Sequence, residues 1–196
     1  MQKQRQQNLL RLMLFVSLCF LVESCSMDSC EITDFGFFTA SLPASWQKIE
    51  LKGLDSKVYN IITDKNDTLF IDFGRFSNPF NEVIEVRTLE RKSEYDSVKF
   101  RYPSSMVFSE DAEMDQAQGL YLKEYFFYEN IDGKKAKLGF PKVTKKGRCL
   151  LYISKADKSG NKLSIYVNNV DSNIQREVYK LFKSIRITPP VRRIVP

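Results

Sequence analysis

The sequence contains no histidine among its 196 residues. That absence removes the side chain best suited to proton transfer near neutrality, together with Ser-His and Cys-His nucleophile systems and most zinc sites. Carboxylate-pair chemistry, Ser-Lys or cysteine-only arrangements, or no chemistry at all remain open. Tryptophan occurs once, at Trp46, and neither an internal repeat nor a low-complexity linker is present. Long apolar runs are lacking as well. The most apolar stretch, Leu12 to Val22, is eleven residues bracketed by Arg11 and Glu23, whereas a membrane-spanning helix needs roughly 20.

What that stretch does match is an export signal. A basic lead (Lys3, Arg5, Arg11), the short apolar run and a small residue, Ser24, directly before Cys25 have the anatomy of a secretory signal of the lipoprotein kind. Val22-Glu23-Ser24-Cys25 is similar to a bacterial lipobox, with Glu23 standing where a small or apolar residue is usual. Plain secretion without a lipid, or retention as an N-terminal anchor, are the alternatives. Cys19 does not compete, because Leu18 before it is too large. The expected divisions are a signal peptide over 1–24, a flexible leader over 25–33, a single domain over 34–188 and a tail over 189–196. Lipidation at Cys25 would hold the protein at the bacterial cell envelope, on the outer membrane. Cys30 and Cys149 are then left, and in an oxidising compartment they form a candidate disulfide. The alternative makes Cys149 a buried small hydrophobe.

Beyond Cys25 the chain is long enough for one domain burying about 70% of its unfolded surface. With 30 basic and 24 acidic residues, the whole chain carries a net charge of +6. Fifteen Phe and nine Tyr supply core material, which excludes disorder as a description of the whole. Period-two alternation between turn signals predicts an antiparallel sheet. Strands are expected over Phe35 to Leu42, Lys57 to Asp64, Thr68 to Phe76, Tyr121 to Asn130, Lys135 to Phe140, Arg148 to Lys155 and Lys162 to Asn168. Asp132-Gly133 supplies a tight hairpin turn. Ile174, Val178, Leu181, Phe182 and Ile185 recur at helical spacing behind Ser172, with Gln175 three residues on, the pattern of a capping box. A short strand over Arg186 to Thr188 follows. Between Glu82 and Gly119 the pattern predicts one helix around Leu89 to Val98 and a long loop.

Leu42-Pro43 with Trp46 just beyond, Gly53-Leu54-Asp55-Ser56-Lys57-Val58, Ile71-Asp72-Phe73-Gly74-Arg75-Phe76-Ser77-Asn78 and the terminal Lys183-Ser184-Ile185-Arg186-Ile187 resemble bacterial envelope lipoproteins carrying a PsbP-like domain. That resemblance implies an α+β fold, an antiparallel sheet covered by helices in an α/β/α sandwich. It implies no catalytic residue and no particular partner, because one fold serves unrelated binding roles.

The remaining motifs fail as metal or catalytic sites. Asp64, Asn66 and Thr68 open like a calcium loop, but Leu69 replaces the needed glycine and Arg75 the bidentate glutamate. Glu110, Asp111, Glu113 and Asp115 read as a solvated loop. No metal, cofactor or catalytic group is expected. The strongest surface signal is basic: Lys134, Lys135, Lys137, Lys142, Lys145, Lys146 and Arg148 lie within fifteen residues without an acidic neighbour in that run. Such a patch suits a protein or anionic glycan partner, or else guards a sheet edge. Nucleic acid is not an expected partner for an exported protein, and Tyr121, Tyr125, Phe126, Phe127 and Tyr128 read as packing. The function expected is therefore a non-enzymatic binding or assembly module at the membrane. Its alternatives are a carrier of an apolar ligand, which needs an enclosed apolar cavity, and a carboxylate-dependent hydrolase, which needs two acidic groups in a deep pocket.

Overall fold

Alternating residues from Tyr59 to Val167 bury one face of a sheet, and the computed structural model shows that sheet directly. It describes residues 29–81 and 84–187. The expected signal segment, Cys25 and the tail 189–196 lie outside the described residues. The described residues from Glu31 to Ile187 form one compact unit, mixed α and β, dominated by antiparallel pairing, with three helices.

Seven strands, β3 (Gln47–Leu51), β4 (Ser56–Ile62), β5 (Thr68–Gly74), β8 (Glu124–Ile131), β9 (Lys134–Pro141), β10 (Arg148–Ile153) and β11 (Lys162–Asn168), form the main sheet. Their order is β3-β4-β5-β11-β10-β9-β8, antiparallel throughout. Successive side chains alternate across it. Tyr59 and Ile61, Leu69 and Ile71, Leu163 and Ile165, Leu151 and Ile153, Ala136 and Leu138 are all buried on the same face. A smaller sheet, ordered β1 (Cys30–Asp34), β2 (Phe38–Pro43), β12 (Arg186–Ile187), closes over that face with helix α3 (Ser172–Ser184). The apolar stripe Ile174, Val178, Leu181 and Phe182 is buried, and burial of each such side chain contributes about 1.5–3 kcal/mol.

The cap of α3 differs from expectation. Asp171, not Ser172, is the N-cap, its carboxylate accepting from the backbone N–H groups of Asn173 and Ile174 at 2.9 and 3.1 Å. Gln175 does not close a capping box. It donates to the Val170 carbonyl at 3.0 Å instead. Lys65 reaches Asp171 at 2.7 Å, and this bond, with the backbone donors, holds the carboxyl down to about 2.

Several boundaries move for local reasons. Asp34 accepts from the Gly36 N–H at 2.7 Å, and Gly36 sits at φ +83°, so a turn separates β1 from β2 and the expected strand over Phe35 to Leu42 starts at Phe38. The flexible leader expected over 25–33 is overlapped by β1, whose pairing with β2 orders it from Cys30. The edge strand β3 was not among the expected strands. Between Ile84 and Leu122 the chain makes a βαβ excursion. Parallel strands β6 (Glu85–Thr88) and β7 (Met106–Ser109) flank helix α1 (Leu89–Ser97), followed by α2 (Ala112–Ala117). The long loop expected there holds β7 and α2.

Cys30 and Cys149 do not form a disulfide with each other. Cys149 is a free thiol, 0% exposed within β10 on the core face, while Cys30 is exposed at the start of β1.

Candidate anion-binding cleft

The Asp132-Gly133 turn sets the register of the β8–β9 hairpin, with φ of 48° and 74° at its two residues. Both values lie in the left-handed region that a tight type I′ hairpin requires. Ile131 therefore pairs with Lys134, and three steps further Tyr128 pairs with Lys137. Tyr152 of β10 lies across from Lys137 on the other side. Alternation places Tyr128, Lys135, Lys137 and Tyr152 together on the sheet face turned away from α3.

A five-residue strap, Ser77 to Asn81, crosses this face. Ser164 donates to the Asn78 carbonyl at 2.7 Å, and Ser77 donates to the Gly74 carbonyl at 3.3 Å. Asn78 accepts from the Phe80 N–H at 2.8 Å, which supports the left-handed φ of 52° at Phe80. The Phe80 ring is buried edge-on against Tyr166. The strap presents its oxygens to one cation: Lys137 Nζ donates to the carbonyls of Pro79 and Phe80 at 3.5 and 3.2 Å and to Asn81 Oδ1 at 3.3 Å. The same ammonium lies 4.6 Å from the centre of the Phe126 ring. Gly139 allows that stacking, since a Cβ there would meet Phe126 at 2.9 Å.

Pro79, Asn81, Tyr128, Lys135, Lys137, Tyr152 and Ser154 enclose an open cleft of about 350 Å³. Lys135 lies 4.4 Å from the centre of the Tyr128 ring. Desolvation, and secondarily the positive charge of Arg148, lowers the Lys137 pKa from its ordinary value. Among the described residues no carboxylate lies within ion-pair distance of Lys135 or Lys137. The cleft is thus positively charged, with hydroxyl and amide groups at its walls.

The seven basic residues singled out in the sequence do not form one surface. Lys135 and Lys137 line the cleft, while Lys134, one residue out of phase with Lys135, projects to the other face. Lys142 lies beyond the far end of β9, its ammonium donating to the Gly119 and Leu120 carbonyls at 2.8 and 3.2 Å. Lys145 and Lys146 are exposed in the adjoining turn. Arg148 is engaged by Glu124, which is 1% exposed and accepts from the Arg148 backbone N–H at 2.8 Å and from Nε at 3.3 Å. Gly147, at φ +131°, keeps the space that this carboxylate occupies clear of a side chain.

Tyr152, Ser154 and Asn81 are cleft residues that no sequence motif marks. Tyr128 was read as packing but is 63% exposed. Hairpin arithmetic is the signal that could have found it, since the turn position alone fixes its pairing with Lys137. The acidic cluster has local roles: Asp111 caps α2, and Asp115 accepts from Ser109 and Tyr121. Among the described residues no group of histidine, cysteine or carboxylate side chains is placed to hold a metal ion. Among the described residues, two other clefts, of about 670 and 230 Å³, are open grooves lined by both polar and apolar residues. Neither is the enclosed apolar cavity a carrier requires.

Neither a protein-family model nor a curated protein matches the sequence. Among solved structures, the chain is similar to the solution structure of cyanobacterial PsbP (CyanoP) from Synechocystis sp. PCC 6803, at 10% identity and a TM-score of 0.40. The match covers 84% of this chain and 96% of that one. At this distance the likeness concerns chain path only, and no function follows from it.

Proposed function

We propose that the protein is an envelope lipoprotein, anchored through Cys25 and carrying a PsbP-like, non-enzymatic binding domain whose cleft takes an acidic unit of a glycan. The observation that carries this reading is Lys137: a partly desolvated ammonium held on neutral oxygens, beside Lys135, with no carboxylate among the described residues within ion-pair distance of either. An anionic ligand supplies that balance. Cleft volume favours a unit near monosaccharide size, at the low end of the roughly 300–1,000 Å³ range of ligand sites. Tyr128, Tyr152, Ser154 and Asn81 line the same cleft and offer hydroxyl and amide partners to sugar hydroxyls.

The test compares a uronic-acid oligosaccharide with its carboxyl-reduced, neutral counterpart by titration calorimetry. The acidic form binds more tightly, and its affinity falls as salt rises. Lys135→Ala weakens binding by about tenfold, a loss in the range of one charge-assisted contact. Lys137→Met does the same or more, whereas Lys146→Ala in the turn beyond β9 leaves affinity unchanged. Equal binding of the two oligosaccharides, or unchanged affinity in both cleft variants, overturns the proposal.

A further inference from the structure

Strand β3 ends the seven-stranded sheet, and all five of its residues, Gln47-Lys48-Ile49-Glu50-Leu51, are exposed. An edge of this kind offers unpaired backbone groups to another strand. Its face toward the small sheet carries Lys48 and Glu50, which pair with Ile61 and Tyr59 of β4. Its other face carries Ile49 and Leu51, 44% and 39% exposed. The strand contains no proline, and its pairing with β4, from Gln47 opposite Ile62 to Leu51 opposite Val58, is in continuous register without a bulge. Inward-pointing charges discourage pairing of an edge with any strand that lacks complementary charges, and this edge carries two, Glu50 and Lys48. The Lys48 ammonium donates to the Asp34 carbonyl at 2.6 Å and lies 5.2 and 5.5 Å from the ring centres of Phe35 and Tyr59.

The sequence of this edge is self-complementary. Antiparallel pairing about a two-fold axis at Ile49 sets Lys48 opposite Glu50 of a second copy and Glu50 opposite its Lys48. The same register sets Ile49 opposite itself and Gln47 opposite Leu51. Two opposite-charge pairs and one aliphatic pair then form on alternate faces, the combinations that favour cross-strand pairing. The register holds whichever set of backbone groups faces outward, because the paired residue numbers always share parity. The other edge lacks this property. Strand β8, Glu-Tyr-Phe-Phe-Tyr-Glu-Asn-Ile, has two carboxylates and no cation, so self-pairing there gains no ion pair.

We infer that β3 is the contact through which two copies of this chain associate, an isologous interface that joins their main sheets edge to edge. Such an interface uses one patch twice and closes on itself. It leaves the β8–β10 cleft, four strands away from β3 in each sheet, open to ligand.

Full-length protein carrying Ile49→Cys in a Cys30→Ser background tests the axis directly. Directly opposite strand residues have Cα atoms about 4.5–5.5 Å apart, inside the range a disulfide spans. Mild oxidation therefore yields a reducible dimer at Ile49→Cys and little at Lys57→Cys, an exposed position on the neighbouring strand. Both residues are surface positions, so neither substitution removes core. Glu50→Lys places like charges opposite each other twice and weakens self-association by about tenfold. The exchange Lys48→Glu with Glu50→Lys restores it. Cross-linking at Ile49→Cys no greater than at Lys57→Cys, or self-association indifferent to Glu50→Lys, overturns the inference.

Discussion

Substituting Cys149 by alanine should remove a defined portion of the alkaline instability of this fold. The thiol is 0% exposed, and burial pushes its pKa from 9.0 up to about 12, with the negative charge of Glu124 adding to the shift. A raised folded-state pKa means that stability is complete below the unfolded value and is lost as pH climbs toward the folded one. Below about pH 9 both states keep the proton; above it the unfolded chain releases a proton that the folded chain retains. The loss is RT ln(1 + 10^(pH − pKa of the unfolded state)), about 0.1 kcal/mol at pH 8 and about 1.4 kcal/mol at pH 10. Tyr59, Tyr152 and Tyr179, also raised, titrate in parent and variant alike, so the difference between the two proteins isolates the thiol. Equilibrium urea titrations at the two pH values measure it. The parent should lose about 1.3 kcal/mol more than Cys149→Ala on going from pH 8 to pH 10. Parallel losses would refute the reasoning, and would be the result expected if Cys149 were held in a disulfide.

Two further outcomes follow from single residues. Glu124→Ala removes a carboxylate that is 1% exposed and accepts from the Arg148 backbone N–H and Nε; losing one member of a fully buried charged pair costs about 3–5 kcal/mol, and the 21% exposure of the Arg148 side chain reduces this to about 2–4. A urea-derived loss under about 1 kcal/mol would contradict the burial argument. Cys25→Ala should abolish labelling by a lipid probe and move the protein from the membrane to the soluble fraction. Unchanged labelling removes lipidation at this position.

The strands that sequence pattern made legible were those bounded by strong turns. Lys65-Asn66-Asp67 and Asp132-Gly133 carry left-handed residues, Asn66 at φ 64° and Asp132 at 48°, and the strands beside them form with boundaries close to those expected. The α3 stripe was legible because four buried residues repeat at helical spacing. Its cap was not, since Asp171 and Ser172 are both good caps and the partner that Asp171 meets in the fold, Lys65, lies 106 positions away. The excursion from Ile84 to Leu122 was obscure for a different reason. Helix α1 forms over Leu89–Ser97 where a helix was expected, but α2 is six residues long and buries none of them, so no apolar period distinguishes it from loop.

The basic run shows why composition alone misplaces a site. Counted along the chain, seven cations look like one patch, but a strand sends neighbours to opposite faces and a hairpin reverses direction. Lys135 and Lys137, two apart, share a face; Lys134 does not. Lys142 is tied to carbonyls, and Arg148 to a buried carboxylate. Alternation along β9 is therefore what concentrates charge, while pairing across strands brings Tyr128 to it, and the turn at Asp132-Gly133 already specifies that pairing. Residue numbers in that hairpin sum to a constant, so Ile131 with Lys134 entails Tyr128 with Lys137. Inserting one residue into the turn would break that sum and shift Tyr128 off Lys137 while leaving every charge in the sequence. Loss of acidic-glycan binding in such a variant, with the sheet still folded by circular dichroism, would separate register from composition as the origin of the site.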